Sequence, residues 1–186
     1  MILDREALQE AVARGERVRY RFFWGHRPRK DGKLSDSCFS QWWACAFTVE
    51  GQRYTSAEQF MMAEKARLFG DDATRAKILA TDDPGWAKKL GREVRGFDEA
   101  RWTADRFELV TRGNLAKFGQ DDALKAYLLS TGESILVEAS PTDTIWGIGL
   151  AAADPAASEP GQWRGLNLLG FALMRARATL AAGSAR

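Results

Sequence analysis

Residues 55–70 constrain this chain more than any other stretch. Thr55 with Glu58, and Ser56 with Gln59, form overlapping capping boxes, so a helix begins here in either register. Strong helix formers follow, and Gly70 stands where a left-handed C-terminal cap belongs. Glu58, Met61, Met62 and Lys65 recur at i, i+3, i+4 and i+7 and so share one helical face. At 1.5 Å rise per residue, Glu58 and Lys65 lie about 10 Å apart along the axis. That is too far for an ion pair and close enough to flank a ligand. The competing structural reading makes Glu58 a first-turn cap suited to the helix dipole and Lys65 a solvated side chain.

Around this helix the chain reads as α+β, mostly helical, with short strands. Residues 3–14 carry an apolar stripe of Leu3, Ala7, Leu8, Ala11 and Val12 closed by Gly15, which predicts an N-terminal helix. Residues 18–24 alternate apolar and basic side chains before turning wholly aromatic, a strand running into the core. A polar, turn-rich loop follows over 25–33. Trp42 and Trp43 are adjacent, and neighbours in an extended segment point to opposite faces. Either one of them is a binding platform or the two pack on different partners. Residues 46–49 and 52–54 flank Glu50 and Gly51 as a hairpin.

Further helices are expected over 71–80, 82–90, 98–118 and 121–130, with Gly91 and Gly113 marking close backbone approaches. Residues 135–139 read as a buried strand holding one charge, Glu138, which needs a partner or a shifted pKa. The loop 140–150 then brings Asp143, Trp146, Gly147 and Gly149 to a strand end, a site-forming combination. Residues 151–162 read as a surface insertion, Asn167 as the cap of a last helix over 168–180, and 183–186 as a frayed tail. Strands near Tyr20, Phe47, Arg53 and Val137 are expected to build a small sheet. With no repeat or linker, 1–186 reads as a single domain.

Composition narrows the chemistry. The chain has 27 basic and 25 acidic side chains, a net charge of +2, which sets up no strong field for nucleic acid or membrane. Local patches such as Arg27, Arg29, Lys30 and Lys33 remain. No apolar run approaches ~18 residues, and the N-terminus lacks the basic and apolar regions of a signal peptide, so a cytoplasmic protein is expected. Cys38 and Cys45 cannot complete a zinc site and read as free buried thiols. His26 is the single histidine. It leaves no room for a zincin motif or a His-rich metal centre, and a Ser-His-Asp triad only through itself. Without a phosphate-loop or GxGxxG fingerprint, catalysis must rest on carboxylates, lysines, hydroxyls and aromatics.

Segments 22–26, 56–59 through 65–66, 90–92, 116–118, 136–138 through 143 and 146–147, and 167–170 through 173–174 and 177 occur together in one order. As a set they resemble the NADAR, or YbiA-like, family over about 19–180 of the chain. Asp36, Ser37, Cys38 and Phe39 stand where shorter bacterial members are expected to carry Ser-Asn-Phe, and 151–162 is extra; both differences bear on substrate. The resemblance implies a hydrolase that cuts an N-glycosidic bond between ribose and a nitrogen base, with no metal or organic cofactor. It implies two substrate classes: ADP-ribose on guanine in nucleic acid, which is removed, and phosphoribosylamino-pyrimidine intermediates of riboflavin synthesis, which are destroyed.

Breaking such a bond builds positive charge on the ribose and negative charge on the departing base, so it calls for a carboxylate near C1′ and an acid near the base. Glu58, Glu138 and Asp143 are the candidates. Trp146, Trp24 and Trp42 can stack on the base, and Arg92, Lys117 and helix-terminal amides can hold phosphate. The expected catalytic set is Glu58, Lys65 and Asp143, with Lys65 or, equally, Lys117 able to act as a Schiff-base nucleophile. The expected substrate-binding set is Trp24, Gly25, Ser35, Gln59, Arg92, Lys117, Glu138, Trp146, Gly147 and Asn167. The partner is then ADP-ribosylated nucleic acid, favoured narrowly, or a small phosphorylated nucleoside-like substrate, and not a membrane. A non-catalytic module that binds ADP-ribose or NAD is the third reading; the joint presence of Glu58, Lys65, Asp143 and Trp146 argues for an enzyme. The site is expected where the Glu58 helix meets the Trp146 loop.

Overall fold

Local capping chemistry accounts for most element boundaries in the computed structural model, which describes residues 2–184. Helix α1 (Arg5–Ala13) begins at Asp4, whose carboxylate accepts from Ala7 N at 2.7 Å. Strand β1 (Tyr20–Phe23) leads by a long loop into a 3-10 turn (Asp36–Phe39) that the sequence did not announce. The hairpin of β2 (Phe47–Val49) and β3 (Gln52–Tyr54) turns at Glu50 and Gly51, with φ of 51° and 79°. Helix α2 (Ala57–Leu68) starts at Ser56, whose hydroxyl accepts from Gln59 N at 3.1 Å, while Gln59 Oε1 accepts from Thr55 N at 2.8 Å. Glu58 takes no part in that cap. Asp71, Asp83, Asp98 and Asp121 cap α3 (Asp72–Leu79), α4 (Pro84–Arg92), α5 (Glu99–Gly119) and α6 (Asp122–Leu129), each worth about 1 kcal/mol. Strand β4 (Ile135–Glu138) and helix α7 (Leu168–Ser184) complete the chain.

The four strands do not join. β1 pairs in parallel with β4, placing Phe23 opposite Glu138, and β2 pairs only with β3. The single small sheet expected from sequence is thus two separate pairs, because β4 packs under α7 whereas the hairpin lies against α2 and α5. Helix α2 runs through the middle, in contact with α3, α4 and α5, and is buried along nearly its whole length. Two glycines make this packing possible. A Cβ on Gly91 would sit 2.0 Å from Met62 Sδ, and one on Gly113 would sit 2.5 Å from the Phe60 ring, so a side chain there would force Met62 or Phe60, or the helix itself, to shift.

Residues 151–162 are mostly exposed, yet Ala157 and Pro160 are buried and Gln9 Nε2 and Arg5 Nη1 of α1 donate to the carbonyls of Pro160 and Trp163. The segment is the seat of α1. The last helix differs from expectation in its cap and end. Asn167 engages β4 across the fold, and α7 runs on to Ser184 rather than ending at 180. Residues 185–186 of the expected tail, like Met1, lie outside the described residues. Among the described residues, no helix is long and apolar enough to cross a membrane.

Candidate active site

A cavity of about 230 Å³ opens where α2, α4 and the loop after β4 meet. Helix α2 presents Glu58, Met61, Met62 and Lys65, the face read from its spacing. Helix α4 adds Lys88, Gly91 and Arg92, and α5 adds Trp102. Glu138 stands at the end of β4, followed by Asp143, Ile145 and Trp146. Ser40, Gln41 and Trp42 close the remaining side.

Each loop is held by identifiable bonds. Asp143 Oδ1 accepts from Ile145 N at 2.9 Å and Trp146 N at 2.7 Å, an Asx-type turn that fixes where the indole leaves the backbone. Lys117 Nζ donates to Cys38 O at 2.7 Å and Ser40 O at 2.8 Å, and Asn114 Nδ2 donates to Gln41 Oε1 at 3.0 Å. Gln41 O in turn accepts from Glu58 N at 2.9 Å. The segment is thereby fastened to α5 and to the first turn of α2. Trp42 faces the cavity, whereas Trp43 packs on the core.

The electrostatics centre on two carboxyls. Glu58 is 3% exposed, and its Oε1 has no hydrogen-bond partner. Burial pushes it up to about 7; Lys88, a hydrogen bond from the Trp42 side chain and Arg92 pull it down, and Asp143 raises it further. Burial likewise pushes Glu138 up to about 8, with Asp143 and Glu58 adding to the rise and Lys88 opposing it. Glu138 Oε2 is also shielded and unpartnered. With Glu58 and Asp143 both raising it, Glu138 holds its proton to higher pH than Glu58 does. The pair retains a proton, so one member can donate and the other accept. Lys65 Nζ donates to Gly91 O at 2.9 Å and lies 4.2 Å from the Phe97 ring centroid and 5.6 Å from that of Trp102. Burial lowers its pKa, opposed by Glu99.

Of the residues expected in the site, the cavity gathers Glu58, Lys65, Arg92, Glu138, Asp143 and Trp146. The others are placed elsewhere. Lys117 is 1% exposed with its ammonium against two carbonyls, so it can neither hold phosphate nor reach a sugar. Gln59 is turned to the carbonyls of Ile78 and Thr81 and to Thr55 N. Asn167, at φ 55°, accepts from Glu138 N and donates to Leu136 O, so it positions β4 without lining the cavity. Gly147 is buried where a Cβ would sit 2.8 Å from Glu138 O, so it serves packing. Ser35 pairs with Ser37, and Trp24 and Gly25 are exposed outside the cavity lining. Sequence reasoning missed Lys88, Trp102, Ser40 and Gln41. Lys88 carried a readable signal, since it precedes Arg92 by four residues on one helix face.

Comparison with known proteins agrees with this arrangement in fold and extent. A family model described as the NADAR domain matches residues 22–181. The chain is 42% identical over 167 residues to N-glycosidase R617 of Acanthamoeba polyphaga mimivirus, covering 87% of this chain and 96% of that protein. It is 30% identical over 143 residues to N-glycosidase YbiA of Escherichia coli, covering 77% and 81%. The NMR structure of the E. coli protein YbiA matches with a TM-score of 0.72 at 26% identity, over 90% of this chain and 88% of that one.

Proposed function

Because the chain belongs to the NADAR domain family, we propose that it is an N-glycosidase whose substrate is ADP-ribose joined to guanine in nucleic acid. The observation that carries the reading is the Glu58–Glu138 pair, a buried and a half-buried carboxyl, each with a shielded, unpartnered oxygen, in one cavity. A module that only bound ADP-ribose would have no use for a pair poised around neutrality.

In the reaction the electrons of the C1′–N bond pass to the base nitrogen, and the ribose takes on oxocarbenium character. Glu138, the more strongly raised of the two, gives its proton to the departing base. Glu58, favoured in its ionised form by Lys88, the Trp42 indole and Arg92, faces the developing positive charge and accepts a proton from the attacking water. Trp146 and Trp42 stack on the base, and Arg92 and Lys88 meet phosphate. At about 230 Å³ the cavity is smaller than the roughly 300–1,000 Å³ of sites that enclose a whole drug-sized ligand. It therefore takes the ribose and the scissile bond, and the rest of the substrate lies across the mouth.

The test is to incubate the protein separately with an ADP-ribosylated DNA oligonucleotide and with a phosphoribosylamino-pyrimidine, and to follow the released sugar by chromatography. Release of ADP-ribose from the oligonucleotide is the expected result. Release from the pyrimidine alone would move the substrate to riboflavin intermediates. No release alongside tight ADP-ribose binding would make the chain a binding module.

A further inference from the structure

The cavity mouth is bordered by aromatic side chains that the chemistry inside does not need. Of the seven tryptophans, only Trp24 and Trp86 stand exposed, at 64% and 49%. Neither lines the cavity, but each lies within two residues of one that reaches its Trp42 wall. Trp24 follows Phe23, which pairs with Glu138 at the cavity edge, and two residues later the His26 ring lies 5.4 Å from that of Trp42. On the other flank the backbone at Gly85 approaches the same indole, since a Cβ there would be 3.4 Å from the Trp42 ring, and Trp86 comes next. Trp42 is thus the shared wall, touched by one residue near Trp24 in sequence and by another next to Trp86.

Cations accompany the rings. Lys89 Nζ lies 4.4 Å from the Trp86 ring centroid, and Lys88 Nζ lies 5.9 Å from that of Trp42. Arg92 follows one turn along the same helix. The nearest acid at the helix start, Asp83, is engaged as the cap, accepting from Trp86 N at 2.7 Å. A small substrate filling the cavity would leave both exposed tryptophans unused. A duplex hides its base faces in the stack. A single strand presents bases to aromatic rings and phosphates to lysines in alternation.

We infer that this border is a track for single-stranded nucleic acid: bases flanking the modified one stack on Trp24 and Trp86, while Lys89 meets a phosphate. The inference rests on the nucleic-acid substrate proposed above, and a binding assay independent of turnover separates the two. The probe is a fluorescein-labelled 12-nucleotide oligothymidylate carrying no ADP-ribose, read by anisotropy at 50 and 200 mM salt. The wild-type protein is expected to bind it more weakly at the higher salt. Trp86→Ala and Lys89→Ala should each weaken binding about tenfold, and Trp86→Phe should restore most of it. Both positions are exposed, so folding is not at stake. Cleavage of a mononucleoside carrying ADP-ribosyl-guanine should stay unchanged in these variants. Absence of oligothymidylate binding, equal binding by the variants, or tighter binding of a 12-base-pair duplex would overturn the track. If the oligonucleotide binds as expected but ADP-ribosyl-guanine is not cleaved, the substrate assignment falls and the track stands.

Discussion

Replacing Glu58 by Gln should make the protein more stable and nearly inactive, and both effects follow from the same burial. The side chain is 3% exposed, and burial is the main reason its carboxyl rises from 4.5 to about 7. A carboxyl raised in the folded state stabilises the fold fully only below about pH 4.5, and that contribution is lost as the pH climbs through about 7. At about 1.4 kcal/mol per pH unit, the loss reaches about 3 kcal/mol in mildly alkaline solution. Glutamine keeps the shape without the charge and leaves the Ser56 cap intact. Glu58→Gln should therefore gain up to about 3 kcal/mol over wild type at pH 8, roughly 6–12 °C in Tm for a chain of this size, and almost nothing at pH 4.5. Turnover should fall by about 10²–10⁴-fold. Thermal melts at the two pH values, run beside the glycosidase assay, decide it. Wild-type turnover, or the same stability difference at both pH values, would refute the reasoning.

Trp146→Ala should weaken substrate binding by about 1–3 kcal/mol if a base stacks there. An unchanged affinity with a stability loss of about 3–5 kcal/mol would instead make the indole a core plug. Because water is the nucleophile in the proposed mechanism, borohydride during turnover should leave no adduct on Lys65 by mass spectrometry; a stable adduct there would establish a Schiff-base route instead. Lys117→Met strips the donor from the Cys38 and Ser40 carbonyls, so urea denaturation should show a loss of about 2–5 kcal/mol. Wild-type stability there would mean that the lysine does not hold the Trp42 segment.

The elements of this fold were largely legible because their signals are local. The Asp and Ser caps, the glycine turns and the one-face spacing of Glu58, Met61, Met62 and Lys65 all act within a few residues, so the chain states them directly. Gly91 and Gly113 announced close contacts, although not that Met62 and Phe60 would be the partners. Long-range pairing was not legible. Nothing near Tyr20 tells it to lie beside Ile135, yet that register is what puts Glu138 at the cavity edge. Composition offered Lys65 and Lys117 as equals, and both lie on helices. Tertiary packing closed one under the Cys38–Ser40 carbonyls and left the other lining the cavity. Periodicity names the faces of a helix, but which face is covered depends on chain that arrives from 77 residues away, as Ser40 does over Lys117. The chemistry of the two carboxyls was decided the same way, since a raised pKa comes from the water that neighbouring elements exclude and from charges they bring near.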